Sequence, residues 1–280
     1  MKPTGISSQT GQWNFVHSYS KLPAIFYSSA QPAKSQSPEL LILNEDLAKL
    51  LGLDIEFLKS PLGISNLSGN ETPLGANPIA LAYAGHQFGG FTTLGDGRAI
   101  LIGEHQTQSG DVFDIQLKGS GPTTYSRGGD GLATLKSMLK EYLYSEAMHG
   151  LGIPTTRSLA LVKTEGTVRR ERLHPRAIVT RVASSHLRVG SFEFARRNDL
   201  DELQALADYA IERHYPSLKN SEDRYSMLLE DVMKRQARLI AQWMSVGFIH
   251  GVMNTDNVSI AGQTIDFGPC AFMDEYSIDK

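Results

Sequence analysis

The sequence predicts an α+β protein in which a strand-rich first part is followed by a helical second part. Three segments are predicted as strands because their apolar residues alternate or form short β-branched runs: Asp111–Gly119, Thr156–Lys163 and Arg176–Ala183. Two later segments, Asp201–Tyr215 and Ser226–Val246, repeat apolar residues every three to four positions, which is typical of amphipathic helices. This order predicts a β-rich N-terminal lobe and a helical C-terminal lobe.

The composition is that of an ordinary globular protein. Of the 280 residues, 41% are hydrophobic and 20% are charged, so a sizeable core is expected. A net charge of −3 argues against a protein built for nucleic acid or membrane surfaces. No 18-residue apolar run and no N-terminal signal core is found, and the single Cys270 excludes an internal disulfide framework. We therefore expect a cytoplasmic protein with neither nucleic-acid nor membrane partners.

The first 80 residues are predicted to form an N-terminal extension. Within them, Leu40–Leu53 predicts a short strand, an N-cap at Asn44 and a helix that ends at Gly52. Ser60–Asn77 is rich in Pro, Gly and Asn and is predicted as a loop.

A glycine-rich segment, Tyr83–Glu104, contains Gly-Asp-Gly-Arg at 95–98 and continues into an apolar strand from Ala99. Glycines let the backbone approach a phosphate closely, and a neighbouring arginine, here Arg98, can neutralise its charge. A bare Gly-x-Gly is also common in simple hairpin turns, so this signal is weak when it stands alone.

In the alternating strand Asp111–Gly119, Asp114, Gln116 and Lys118 share the polar face, and a solvated side chain is the ordinary interpretation of Lys118 at the strand end. A helix predicted over Leu132–His149 follows a cluster of glycines, and a helix N-terminus after such a cluster is a natural anion site. That helix carries two carboxylates, Glu141 and Glu146, on different faces. Glu141 can return to the Lys118 amine through the intervening loop, and Glu146 is the competing candidate.

Several arginines lie between, within or just after the next two predicted strands. Arg169, Arg170 and Arg172 are predicted to lie in a solvated basic loop. Arg181 lies on a half-apolar strand face, where an arginine is costly unless it meets an anion. A phosphate and an internal salt bridge remain equally good partners for it. Arg188 follows after a Ser-Ser-His turn.

The segment His250–Gly268 concentrates polar residues that suit a metal ion: Asp256, Asn257 and Asp266. A hairpin is predicted between them, with Val258–Ile260 and Thr264–Phe267 as its arms, and it would bring Asn257 and Asp266 together. Two hard oxygen ligands at one end of a hairpin favour Mg²⁺ or Mn²⁺ with bound nucleotide phosphates. Asn and Asp also cap turns, which is their commonest use.

The order of these parts is that of a protein-kinase-like fold: a glycine-rich hairpin, a lysine strand, a glutamate helix, and then His…Asn and Asp-Phe-Gly. His250 and Asn257 have the spacing of a kinase catalytic loop, but the position of the base holds Val252. The nearest carboxylate is Asp256. Neither a Rossmann fingerprint nor a Walker A loop is found. The predicted divisions are an extension (1–80), a kinase-like N-lobe (81–195) and a partial helical C-lobe (196–280).

Four stretches carry a closer resemblance: YAGHQFGGFTTLGDGRAILIGE, DIQLKGSGPTTYSRGGDG, PRAIVTRVASSHLRVGSFEF and HGVMNTDN…IDFGPCAFMDEY. They resemble the selenoprotein O family of bacterial and mitochondrial pseudokinases, over nearly the whole chain from Trp13. The resemblance implies a kinase-like fold that binds ATP in an inverted orientation. It also implies metal-dependent transfer of AMP, or of UMP from UTP, to Ser, Thr or Tyr hydroxyls of proteins, with pyrophosphate leaving.

Carried over position by position, the resemblance implies a role for each matching residue. The nucleotide-binding residues would be Gly95, Gly97, Arg98, Lys118, Asp130, Gly131, Arg181, Arg188 and Asp266. Glu141 would orient Lys118, Asp256 would be the general base, and Asn257 with Asp266 would bind the metal. A kinase-type phosphotransferase and an inactive nucleotide-binding scaffold remain the alternatives.

The resemblance also sets an expectation about length. Members of the family continue well beyond an Asp-Phe-Gly-like segment into a helical region that ends in a redox-active Cys or selenocysteine. This sequence ends at Lys280, fourteen residues after Asp266, so we expect a fragment or a truncated product with an incomplete C-lobe. Cys270 does not match the redox position.

Overall fold

The computed structural model describes residues 11–87, 89–275 and 277. Its strands are β1 (Phe15–Val16), β2 (Tyr27–Ser29), β3 (Glu39–Leu43), β4 (Ile79–Leu81), β5 (Ala84–Gln87), β6 (Gly90–Thr93), β7 (Ala99–Gln106), β8 (Val112–Lys118), β9 (Arg157–Arg169), β10 (Leu173–Ala183), β11 (Phe248–Ile249) and β12 (Ala271–Phe272). Its α-helices are α1 (Glu45–Leu51), α2 (Ile55–Lys59), α3 (Pro61–Ser68), α4 (Leu135–Gly150), α5 (Val189–Asn198), α6 (Leu200–His214) and α7 (Arg224–Ser245). The predicted α+β class is confirmed.

Eight strands form one antiparallel sheet in the order β2-β4-β7-β8-β10-β9-β3, with β1 paired to β7. Strands from the first 80 residues and strands from residues 81–195 thus belong to the same sheet. The division of the chain at residues 80 and 195 stays a prediction. Within the described ranges, no helix is long and apolar enough to cross a membrane.

The first predicted strand and helix are confirmed as β3 and α1. Asn44 caps the helix by accepting a hydrogen bond from the Leu47 amide, and Gly52 ends it in the left-handed conformation at φ 72°. The loop predicted over Ser60–Asn77 is partly wrong. Ser60 accepts a hydrogen bond from the Gly63 amide and Pro61 occupies the first turn, so both residues start α3 rather than interrupt it.

Strand β8 lies inside the sheet, between β7 and β10, and the solvent exposure predicted for Lys118 at its end is wrong. Lys118 was expected to be solvated, but it is 4% exposed, and Asp114 and Gln116 on the same face are 3% and 0% exposed. Strands β7 and β10 pair with its two edges, and side chains from other elements, including Arg213 and Glu141, pack on its polar face. The predicted basic loop is confirmed for Arg170 and Arg172, which lie exposed in the turn between β9 and β10, whereas the exposed Arg169 is the last residue of β9.

The predicted helices are confirmed with small shifts. Helix α4 begins after Thr134, whose hydroxyl accepts from the Ser137 amide, rather than at Leu132, which bridges to Ser120. Helices α6 and α7 match their predicted ranges within two residues. Helix α5 was not predicted, and it begins directly after Arg188.

The hairpin predicted around residues 258–267 is wrong. Instead of pairing with each other, its two arms pair with distant segments: Ser259 bridges to Arg188 and Thr264 bridges to Thr155. Only the turn remains, where the Gly262 amide donates to the Ser259 carbonyl. These long-range bridges attach the segment to the ends of β9 and β10, beside α4 and α5.

A buried ion network joins α6 to the sheet. Arg213 on α6 contacts Glu104 of β7 and donates to Asp114 of β8 at 2.7 Å. His186 donates its backbone N–H to the same Asp114 carboxylate at 2.7 Å. All four side chains are buried or nearly so. A guanidinium with two carboxylates satisfies charges that would otherwise be costly at this depth.

Replacing Arg213 is expected to destabilise the fold strongly. Arg213→Ala leaves two buried carboxylates without their cation, which should lower the free energy of unfolding by about 3–5 kcal/mol. Urea denaturation followed by circular dichroism measures the change. The matched control is Lys219→Ala, which removes an exposed pair with Glu212 and should cost less than about 1 kcal/mol. Equal effects of the two substitutions would contradict the assignment.

Candidate functional site

A cavity of about 490 Å³ opens where the ends of β8 and β10 meet α4 and the loop that contains Asp266. It is lined by the predicted site residues Gly95, Gly97, Arg98, Lys118, Asp130, Gly131, Glu141, Arg181, Arg188, Asn257 and Asp266. Among the predicted site residues, only Asp256 is not on its wall. The fold therefore brings together residues that lie up to 171 positions apart in the sequence.

The wall of the cavity is basic, although the chain as a whole carries a net charge of −3. Its basic residues are Arg98, Lys118, Arg127, Lys140, Arg170, Arg181 and Arg188, and its acidic residues are Asp96, Asp130, Glu141 and Asp266. Seven cations against four carboxylates leave a local excess of three positive charges. Such a concave basic surface suits an anionic ligand.

Lys118 is buried between two carboxylates. Its Nζ lies 2.7 Å from Glu141 Oε2 and also contacts Asp266 Oδ1. The competing carboxylate, Glu146, instead binds Arg157 at 2.7 Å and accepts from the side chain of Asn44. Helix α4 thus presents Glu141 to the lysine, and Glu146 serves to hold the helix against β9.

Arg181 and Arg188 converge on the same aspartate. Arg181 Nη1 lies 2.8 Å from Asp266 Oδ1 and 3.2 Å from Glu141 Oε1, and Arg188 Nη1 lies 2.8 Å from Asp266 Oδ2. Both arginines are 1% exposed. The structure therefore contains the internal salt bridge considered for Arg181, while its contact with phosphate stays a prediction.

Asp266 is held in an unusual state. Burial alone would raise the pKa of its carboxyl, but Lys118, Arg181 and Arg188 hold that pKa well below its ordinary value. Its backbone has φ 64°, a left-handed conformation that non-glycine residues rarely adopt. Strain of this kind persists where surrounding contacts fix the residue, and it is typical of functional sites.

The glycine-rich segment forms the opposite wall. A Cβ on Gly95 would lie 2.4 Å from the ring of Tyr125, and a Cβ on Gly97 would lie 2.8 Å from the Tyr125 carbonyl oxygen. Glycine is thus required for the close approach of the two loops. Arg98, next to them, is exposed at the cavity rim.

Asp130 and Gly131 lie on the loop before α4. Arg170 donates to both oxygens of the Asp130 carboxylate, at 2.8 and 3.0 Å, and this pairing lowers the pKa of Asp130 to about 2. Gly131 is buried and has φ 65°. Arg170, expected to be simply solvated, therefore ties this loop to the turn between β9 and β10.

Sequence reasoning missed several wall residues, including Arg127 and Lys140, and two side chains that contact the buried arginines. Gln116 accepts a hydrogen bond from Arg181 Nε at 3.0 Å, and Tyr83 places its ring 4.5 Å from the Arg188 guanidinium. Gln116 could have been found, because it shares the strand face of Lys118 two residues earlier. Nothing in the local sequence indicates that Tyr83 lies under Arg188.

Asp256 and Asn257 lie in a 3-10 helix, Thr255–Asn257. Asp256 is 6% exposed, and burial raises the pKa of its carboxyl. Its backbone carbonyl accepts a hydrogen bond from Arg188. Asn257 lines the cavity, and its side-chain Nδ2 donates a hydrogen bond to the Val252 carbonyl at 3.2 Å. Its side-chain oxygen accepts no hydrogen bond from any described residue.

The residues present fit a hydrated Mg²⁺ or Mn²⁺ better than a fully protein-bound metal. Asn257 and Asp266 both line the cavity and offer hard oxygen donors. Among the described residues, no group of three or more His, Cys, Asp or Glu could enclose a metal. A two-residue donor set is what a Mg²⁺ ion uses when waters and phosphate oxygens complete its shell.

Comparison with known proteins gives a consistent result. The family model described as "Protein adenylyltransferase SelO" matches residues 10–279. A protein nucleotidyltransferase YdiU from Brevibacillus brevis is 62% identical over 265 residues, which are 94% of this chain and 54% of the relative. The protein of the same name from Clostridium perfringens is 57% identical over 277 residues, which are 99% of this chain and 56% of the relative. The chain thus spans about half the length of these curated relatives.

The depressed pKa of Asp266 predicts how its contribution to stability depends on pH. The folded pKa lies below the unfolded value of about 3.9, so the ionised carboxylate stabilises the fold above that pH, and the contribution is lost as the pH falls. Asp266→Asn should therefore lower the free energy of unfolding at pH 7 by about 3–5 kcal/mol, because three buried cations lose their shared anion.

Urea denaturation of both forms between pH 7 and pH 3 measures this difference. It should be constant from pH 7 to about pH 5 and should shrink as the pH falls further. Asp46→Asn, which alters an exposed pair with Lys49, is the control and should show almost no difference at any of these pH values. A difference for Asp266→Asn that grows on acidification would contradict the assigned ion pairs.

Proposed function

The chain belongs to the SelO family of protein adenylyltransferases, and from this premise we propose that its cavity binds ATP for transfer of AMP to protein hydroxyl groups. The observation that carries the proposal is the convergence of Lys118, Arg181 and Arg188 on one side of the cavity. Three buried cations held by strands and a helix are a rigid site for a triphosphate. UTP is the alternative donor, which would transfer UMP.

The arrangement supports a kinase-like architecture. A lysine on a sheet strand paired with a glutamate on a packed helix, followed much later by an Asp-Phe-Gly segment, is the set of parts that protein kinases use. In this proposal, the antiparallel sheet with α4 corresponds to the kinase N-lobe. Helices α6 and α7 correspond to part of the C-lobe.

Each residue of the wall then has a role. Gly95, Gly97 and Arg98 contact the nucleotide from the glycine-rich side, and Asp130 with Gly131 contacts it from the loop before α4. Lys118, Arg181 and Arg188 contact phosphate oxygens, and Glu141 keeps Lys118 in place. Asn257 and Asp266 hold the metal ion, which supplies a positive charge for the phosphates when bound.

The proposed reaction is a substitution at the α-phosphorus. The hydroxyl oxygen of the protein substrate forms a bond to that phosphorus while its proton passes to the carboxylate of Asp256. The bond between the α-phosphorus and the oxygen that bridges to the β-phosphate breaks, and pyrophosphate leaves with those electrons. Asp256 is the base because Val252, at the kinase base position, cannot accept a proton.

We further propose that the protein acts on protein substrates in the cytoplasm. Burial raises the pKa of the Cys270 thiol to about 11, so this cysteine is protected from reaction and fits a reducing compartment without being required to form a disulfide.

The label position decides between the candidate reactions. Incubating the native gene product with α-labelled ATP, Mg²⁺ or Mn²⁺ and acceptor proteins should label protein, whereas γ-labelled ATP should not. Asp256→Ala should reduce the α label by about 10²–10⁴-fold, because a general base contributes that much to a rate. Label from the γ position alone would indicate a kinase-type phosphotransferase. No label from either position, with ATP still raising the melting temperature, would indicate an inactive scaffold.

Metal-dependent nucleotide affinity tests the metal ligands. We expect Mg²⁺ to tighten ATP binding to the chain, and Asn257→Ala should remove most of that gain without changing binding in EDTA. Isothermal titration calorimetry with and without Mg²⁺ measures both affinities. Asn254→Ala is the control, because Asn254 belongs to the same loop and does not line the cavity. An unchanged Mg²⁺ effect in Asn257→Ala would overturn the ligand assignment.

A further inference from the structure

A small hairpin, formed by β5 and β6, packs against the segment that carries Asp256. Among the residues that the structure describes, the two strands pair only with each other, as a sheet separate from the eight-stranded one. Strand β5 contacts both α5 and the 3-10 helix Thr255–Asn257. The hairpin thus packs directly against the segment that carries the proposed base.

Two glycines make this contact unusually close. A Cβ on Gly85 would lie 2.2 Å from Asp256 Oδ1, and a Cβ on Gly190 of α5 would lie 2.0 Å from the Ala84 carbonyl oxygen. Neither distance is possible for a real side chain, so both positions need glycine for packing. The backbone of β5 therefore lies directly against the carboxyl group of Asp256.

One side chain of the hairpin binds that carboxyl group. Gln87 Nε2 donates a hydrogen bond to Asp256 Oδ2 at 3.1 Å. Among the described residues, no side chain other than Gln87 donates to the Asp256 carboxylate, and Oδ1 is buried without a partner. Gln87 thus fixes one carboxylate oxygen, and the backbone of Gly85 packs against the other.

A second connection sets the position of the hairpin relative to the base. His86 Nδ1 lies 3.6 Å from Glu193 Oε1 on α5, and Thr255 donates to Glu193 Oε2 at 2.5 Å. His86 precedes Gln87, and Thr255 precedes Asp256. The residues next to the hydrogen-bonded pair are therefore linked through one glutamate of α5, which limits sliding of the hairpin along the base segment.

We propose that Gln87 is a positioning residue that fixes the orientation of the Asp256 carboxylate for proton transfer. The inference rests on the proposed function, in which Asp256 accepts the proton of the substrate hydroxyl. An amide donor suits this task because it neither accepts that proton nor changes its own charge during the reaction. Without it, the carboxylate can rotate away from the productive geometry.

The test separates kcat from KM for AMP transfer by the native gene product. Gln87→Leu keeps a similar volume without the donor, and kcat should fall about tenfold, the usual effect of losing a hydrogen bond to a charged group. The KM for ATP and the ATP affinity should stay within about twofold, because Gln87 does not line the cavity. Gln87→Glu places a second carboxylate beside Asp256 and should lower kcat further.

Two comparisons distinguish positioning from general packing. Thr93→Val alters an exposed residue of β6 in the same hairpin and should leave kcat unchanged. In an Asp256→Asn background, Gln87→Leu should have no further effect on the residual rate, because the two residues act as one unit.

Several outcomes would overturn the inference. An unchanged kcat in Gln87→Leu would do so, as would a loss seen only in the KM for ATP, or an equal loss in the Asp256→Asn background. Failure of the unsubstituted protein to transfer AMP would instead overturn the proposed function itself, so the two failures are distinguishable.

Discussion

The carboxylate of Asp266 is the interaction on which the arrangement of the site depends. Lys118 comes from β8, Arg181 from β10 and Arg188 from the start of α5, and each contacts this one side chain. Glu141 pairs with Lys118 and Arg181, but one carboxylate does not balance three buried cations, so Asp266 supplies the second anion that they need. In that position Asp266 has a left-handed backbone conformation, and the three ion pairs offset the conformational free energy that this costs.

Strand β8 connects this site to the rest of the fold through one buried polar face. Asp114 binds Arg213, which anchors α6. Gln116 donates a hydrogen bond to Asp96 at 2.9 Å and accepts one from Arg181. Lys118 binds Glu141 and Asp266. Each polar group on this face has a partner, which is the condition for burying such groups in a sheet. The stability of the sheet and the geometry of the cavity therefore depend on a single row of alternate residues.

This row also shows how far sequence reasoning reaches. Alternation correctly placed Asp114, Gln116 and Lys118 on one face, but it could not indicate that the face is buried, because burial depends on distant strands and helices. Periodicity likewise gave helix α4 and two possible glutamates, and only the tertiary position of β8 selects Glu141 over Glu146. The false hairpin at 258–267 has the same origin: its partners, Arg188 and Thr155, lie 71 and 109 residues away.

The location of the proposed base follows from the charges around it. Val252 lies on the cavity wall, where a carboxylate would face the anionic phosphates that the basic wall suits. Asp256 is not among the lining residues, and its carboxylate packs against Gly85 and Gln87 of the β5–β6 hairpin. Arg188 joins the two regions, because its Nη1 contacts both the Asp256 carbonyl and Asp266 Oδ2. In the proposed function, a phosphate that binds Arg188 would therefore act on the backbone that carries the proposed base, which would couple nucleotide binding to the placement of that base.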